Sequence, residues 1–194
     1  RDWSSDVCSS DLNERMVIPM KKMLAMLLAV LTLCFGAAAM AESVPEVDDA
    51  AEQAALADLT ANGQLIEGDG FQFYIPADWE AAELTDEETE AGYVFAAASA
   101  DEANQLIITY QALDAAKTAE EVQPGLAEVY PTATVMDLNG TSVVAFHDAD
   151  EDVLGIVVMD TVDPGYYIFM FTPASDADFL PVADAIAASY TAAQ

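Results

Sequence analysis

Between Thr132 and Ser175 the chain reads TATVMDLNGTSVVAFHDADEDVLGIVVMDTVDPGYYIFMFTPAS. Four runs rich in Val, Ile, Phe and Tyr are divided by turn-forming residues, the pattern of a β-meander. Asn139-Gly140 marks a tight hairpin, because a type I′ turn needs positive φ at both central residues. Asp163-Pro164-Gly165 marks the last corner: proline presets φ at one turn position and glycine tolerates the next. The acidic run Asp148-Ala149-Asp150-Glu151-Asp152 forms the middle corner. Short connections make these strands one antiparallel sheet, which the rest of the chain must extend or cover.

Upstream, Phe71-Gln-Phe-Tyr-Ile75 is a strand halted by Pro76, whose missing N–H cannot continue a ladder. Trp79 follows it. The acid-rich run from Glu80 to Glu90 reads as a solvated loop or helical turn. Gly92 to Ala98 and Gln105 to Ala112 read as a second hairpin, and Thr118-Ala-Glu-Glu121 is a capping-box pattern opening a helix toward Tyr130. After the meander, Ser175-Asp-Ala-Asp178 signals a last helix with the Ser175 hydroxyl able to cap it. Phe179, Val182, Ile186 and Tyr190 then form one apolar stripe that lies on the sheet. The expected architecture is α+β: a single antiparallel β-sheet (strand, hairpin, helix, four-strand meander) covered by helices.

The amino-terminal part carries export signals. Residues 1–19 read as a non-native leader, with RDWSSDVCSSDL at 1–12 resembling a translated adaptor. Residues 20–41 read as a signal peptide: Lys21-Lys22, an apolar core from Met23 to Phe35, and Ala39-Met40-Ala41 as a small-x-small cleavage site. The apolar core is shorter than the roughly 20 residues a transmembrane helix needs. Leu33 is too bulky to make Cys34 a usual lipid-anchor site. Residues 42–66 are acidic and alanine-rich, offering little to bury, and read as a spacer or loosely docked helix ending at Asn62-Gly63. Residues 67–194 read as a single domain. The expected location is the cell envelope or beyond, with no stable membrane insertion once the signal is removed.

Charge narrows the partners. The four basic and four acidic residues before Glu42 cancel, so residues 42–194 carry the whole formal charge of −30, from thirty-one Asp and Glu against Lys117. Such a field repels nucleic acid and anionic lipid, and no basic patch exists from which to build a phosphate site. Both cysteines, Cys8 and Cys34, precede the cleavage site, which removes thiol chemistry and disulfides from the mature chain.

Candidate chemistry is sparse. His147 is the one histidine, it reads as an exposed turn residue, and no Gly-x-Ser-x-Gly elbow accompanies it. Asp148, Asp150 and Asp152 have the spacing that begins a calcium loop, but its sixth position is Val153 instead of Gly and its twelfth is Met159 instead of Glu. They read as an acidic hairpin turn, with weak binding of a hard cation as the alternative. Trp79 reads as a cap on the core, with ligand stacking as the alternative. Pairs of carboxylates suited to glycoside hydrolysis carry no signal in a chain so rich in them.

Phe71-x-Phe-x-Ile-Pro-x-x-Trp79, Gly165-Tyr-Tyr-x-Phe-x-Phe-Thr-Pro173 and Ile186-x-x-Ser189-Tyr190 resemble secreted members of the PsbP/Mog1-like superfamily over about Gly70 to Tyr190. The resemblance implies an antiparallel sheet covered by helices and a non-catalytic accessory or binding role, with no catalytic residue, metal motif or cofactor to carry over. The expected function is a secreted accessory or binding protein of the cell envelope. It would act as a monomer on an unidentified envelope protein or small ligand. The alternatives are a carboxylate-dependent extracellular hydrolase and a weak calcium-binding structural protein.

Overall fold

The computed structural model describes residues 43–68 and 70–192; the expected leader and signal peptide lie outside these residues. In chain order the elements are α1 (Asp49–Asn62), β1 (Gln64–Gly68), β2 (Phe71–Ile75), β3 (Glu80–Ala81), α2 (Asp86–Glu90), β4 (Tyr93–Ala98) and β5 (Gln105–Ala112). They continue with α3 (Ala119–Ala127), β6 (Thr134–Leu138), β7 (Thr141–Asp148), β8 (Val153–Met159), β9 (Gly165–Thr172), α4 (Leu180–Ala188) and β10 (Thr191–Ala192).

The meander forms as the turn residues dictate. Asn139 and Gly140 both take positive φ, 49° and 85°, and Gly140 N–H donates to Asp137 Oδ1 at 2.9 Å. Strands β6 to β9 pair antiparallel in sequence order, and β9 then pairs along its whole length with β5. The result is a seven-stranded antiparallel sheet of order β3-β4-β5-β9-β8-β7-β6.

The expectation of one sheet is corrected. β2 lies outside the seven-stranded sheet and instead joins β1 and β10 in a separate three-stranded sheet. The reason is in its side chains: Phe71, Phe73 and Ile75 alternate inward and pack face to face on the larger sheet. Phe73 meets the rings of Phe169 and Phe95 edge-on at 5.6 and 5.2 Å, and Phe71 meets Tyr167 at 5.5 Å. Three aromatic contacts of this kind do what a ladder alongside the meander could not, because they bury β2 on a whole face.

The large sheet therefore has two covered faces. One, lined by Ile108, Leu106, Phe169, Phe171, Ile156, Leu154 and Val143, packs against the small sheet, α1 and α4. The other carries Val144, Phe146 and Val157 beneath Ala119, Val122 and Leu126 of α3. On this second face Tyr130 stacks on Phe146 at 3.9 Å and 11°, and the Phe146 ring lies so close to Gly155 that a Cβ there would sit 2.0 Å from it. Only glycine lets the ring lie flat on the neighbouring strand.

Several local expectations change. Of the two readings of residues 42–66, spacer or loosely docked helix, the structure has the helix: α1 forms over Asp49–Asn62 and Leu59 is part of the main core, with Val44, Val47, Ala55 and Leu56 packed against it. β1 begins at Gln64 and so runs across the expected domain start at 67; residues 41–194 form one compact unit. The acid-rich run is not wholly solvated, because Glu88 is buried, its carboxylate accepting from Thr85 N–H at 2.7 Å in a capping box. The last helix starts at Leu180, later than the Ser175 signal, with Pro181 in its first turn, and Tyr190 lies beyond its end.

Candidate functional site

The acidic corner between β7 and β8 is organised by its own hydrogen bonds. Asp148 Oδ1 accepts from the N–H groups of Asp150 and Glu151 at 3.1 and 3.3 Å, a side chain imitating a backbone turn. Asp152 sits at φ 56°, and its carboxylate reaches across to the loop that follows β9. There it accepts from Ser175 N–H and Ser175 Oγ, both at 2.7 Å, while its carbonyl accepts from Ala174 N–H at 2.8 Å. This is where the Ser175 hydroxyl goes, in place of the helix cap. Asp150 contributes its N–H to Asp148. The three aspartates thus share one corner, but Asp148 and Asp152 are turned to the backbone and to Ser175. Among the described residues no three His, Cys, Asp or Glu side chains converge as a metal site.

Trp79 is buried, its ring 5.9 Å from that of Phe179, and its carbonyl accepts from Gln64 Nε2 at 2.7 Å. It ties the end of β2 to the segment that leads into α4. His147 departs from the exposed-turn expectation. It is half-buried at the end of β7, with its backbone N–H and C=O both bonded to Thr132 Oγ1 at 2.8 Å and its Nδ1 buried without a protein partner.

Two features escaped the sequence reading. Tyr110, Tyr167 and Tyr190 form a tyrosine cluster at one end of the large sheet, with ring centroids 4.8 Å apart for Tyr110–Tyr167 and 5.4 Å for Tyr167–Tyr190. Burial, then the nearby Asp160 charge, pushes the Tyr190 hydroxyl well above the usual phenol range, and that hydroxyl is buried with no protein partner. The alternation Tyr166-Tyr167-Ile168-Phe169 was the available signal: Tyr167 is in phase with the inward phenylalanines of β9.

The second feature is Asp184. It is 6% exposed in the middle of α4, and burial followed by the Glu52 charge pushes its carboxyl from 3.8 up to about 7. Glu52, on α1, is itself raised, first by burial and then by Asp49 and Asp137. In sequence Asp184 sits off the Phe179–Val182–Ile186 stripe and resembles a solvent-facing residue. What covers it is α1, the segment whose composition gave no sign of docking.

No family model matches the chain, and no curated protein sequence matches it. Solved structures do. The solution structure of cyanobacterial PsbP (CyanoP) from Synechocystis sp. PCC 6803 is similar at a TM-score of 0.50 with 14% identity, over 69% of this chain and 94% of that one. A crystal structure from Bacteroides thetaiotaomicron VPI-5482 is similar at a TM-score of 0.50 with 14% identity, over 69% of this chain and 49% of that one, so the match spans about half of the Bacteroides chain. At this identity the likeness concerns the fold: over about two thirds of its length the chain has a PsbP-like α+β fold.

Proposed function

We propose that this protein is an exported, non-catalytic binding protein of the cell envelope whose acidic surface takes a cationic partner. The observation that carries the reading is charge: from Glu42 onward thirty-one carboxylates stand against Lys117 alone. Charge so one-sided raises the rate of encounter with a basic surface and repels acidic ones, at a cost in self-repulsion that a purely structural role would not require. Of the residues singled out for chemistry, Asp152 is held on Ser175 and Trp79 lies in the core. No helix among the described residues is long and apolar enough to cross a membrane.

Export and binding are tested separately. Expressed with residues 20–41 intact in a bacterial host, the protein should be recovered outside the cytoplasm with an amino terminus at Glu42; an uncleaved cytoplasmic product would overturn the export reading. Crosslinking in the envelope fraction should then trap a basic partner, with a yield that falls steeply between about 0.05 and 0.3 M NaCl. A salt-independent crosslink, or turnover of a glycoside that a single Asp→Asn change abolishes, would replace the electrostatic binding reading, the latter with a carboxylate hydrolase.

A further inference from the structure

Helices α1 and α4 pack directly on one another, and both bring small and apolar side chains to the main core, among them Ala55, Leu56 and Leu59 of α1 and Leu180 and Ala183 of α4. Into it α4, LPVADAIAA, places one charged residue, Asp184. Asp184 is 6% exposed, and its burial is the first cause that raises its carboxyl. The charged group acting on it from α1 is Glu52. Behind Glu52 stand Asp49, one turn earlier on α1, and Asp137 on β6. From β2, the third element against α4, Tyr74 packs beside the helix end, its N–H donating to Ser189 Oγ at 2.9 Å. Every charged group acting on Asp184 or Glu52 is a carboxylate, and no Lys, Arg or His compensates either of them.

A buried acid at the contact of two helices, its ionisation opposed by a carboxylate on the neighbouring one, cannot charge without either drawing in water or parting the helices. Separation is open to α1 and not to α4. Its large buried side chain is Leu59, near its carboxyl-terminal end; ahead of it α1 holds on through the partly buried Ala51, Glu52, Ala55 and Leu56, and Val44 and Val47 of the segment before it also pack on the core. α4, by contrast, is enclosed along Ala183, Ala185, Ile186 and Ala187. We propose that α1 is a pH-gated clasp, docked on α4 while Asp184 retains its proton and released, together with residues 43–48 before it, when Asp184 ionises. Asp184, pushed up to about 7, places the transition near neutral pH. Release bares the α4 surface and frees the end of the domain from which the preceding chain emerges.

Hydrogen exchange followed by mass spectrometry on the full-length protein tests this. Exchange times are scaled for the base-catalysed intrinsic rate at about pH 5.5 and about pH 8.5. Protection of α1 amides should fall at least about tenfold at the higher pH, while β5, β8 and β9 amides keep theirs. In Asp184→Asn, protection of α1 should be equal at the two pH values. Constant α1 protection in the wild type, or an undiminished fall in Asp184→Asn, would overturn the clasp. Should Asp184→Asn fail to fold, Glu52→Gln, at a half-exposed position, should shrink the fall to less than about threefold; an unchanged tenfold fall there would be equally decisive against it.

Discussion

The two faces of α4 are buried to the same degree and held by opposite means. Toward the sheet, Phe179 at the start of α4 meets Phe171 ring to ring at 6.1 Å, among aromatic rings that interlock over strands tied by continuous ladders. Toward α1, the packing includes small side chains, two leucines and the buried carboxyl of Asp184, whose ionisation the Glu52 charge opposes. Burial alone therefore says little about how a surface responds to conditions. The aromatic side gains from area and shape, which pH leaves alone. On the clasp side a buried carboxyl is part of the contact, so its ionisation weighs directly on what holds α1.

The sharpest way to break this comparison is to empty the aromatic side. Phe73 is fully buried and is the one β2 ring that touches Phe95, Phe169 and Phe71 together. Phe73→Ala should cost about 3–5 kcal/mol of unfolding free energy, read by denaturant titration, and that cost should be the same at pH 5 and pH 8. A loss below about 1 kcal/mol would show that the small sheet rests on the large one only loosely.

The next effect belongs to the clasp. Asp184 titrates near 7 in the fold against an ordinary 3.8. Folding therefore favours its protonated form: the stabilisation is complete below 3.8, declines as pH rises from there to 7, and is gone above. Asp184→Asn, which holds its neutral form at every pH, should be more stable than the wild type at pH 8 by on the order of 2–4 kcal/mol and nearly equal to it at pH 4. Equal stability at pH 8 would mean that the carboxylate is hydrated in the fold.

These two sides also differed in how far the sequence revealed them. The meander was legible down to single residues, because Asn139-Gly140 and the alternation of β9 are local rules, satisfied within a few positions of themselves. The α+β class followed. The second sheet did not, since β2 contains the same alternation whether it extends the meander or lies across it; only the rings of Phe95 and Phe169, far along the chain, decide. Gln64 to Gly68 held no strand signal of its own and became β1 by pairing with β2. The clasp was hidden for a related reason. Alanines at 50, 51, 54 and 55 read as absence of anything to bury, yet small side chains are what let two helices approach closely. The acidic corner was legible as a turn between β7 and β8, while the role of Asp152 depended on Ser175, twenty-three residues on.

That bond gives a smaller prediction. Asp152→Ala removes both acceptor oxygens from Ser175 and leaves a non-glycine residue at positive φ, so it should cost about 1–2 kcal/mol. Asp150→Asn, whose N–H to Asp148 is kept, should stay within about 0.5 kcal/mol of the wild type. A saturable stabilisation by micromolar calcium, lost in Asp150→Asn, would turn the corner into a cation site.

The smallest effect separates the clasp from the rest of the charge. At pH 8 the surface carboxylates repel one another over a Debye length of about 30 Å at 0.01 M salt, and about 8 Å at 0.15 M. Raising NaCl across that range should therefore lift the wild-type melting temperature by a few degrees, since screening relieves the compact state more than the expanded chain. Asp184 is different, because ions reach a residue of 6% exposure poorly and its first cost is the loss of water, which salt does not restore. The stability difference between wild type and Asp184→Asn should thus change by less than about 0.5 kcal/mol over the same salt range. If salt instead closes most of that difference, Asp184 is behaving as one more surface acid, and the two faces of α4 differ only in area.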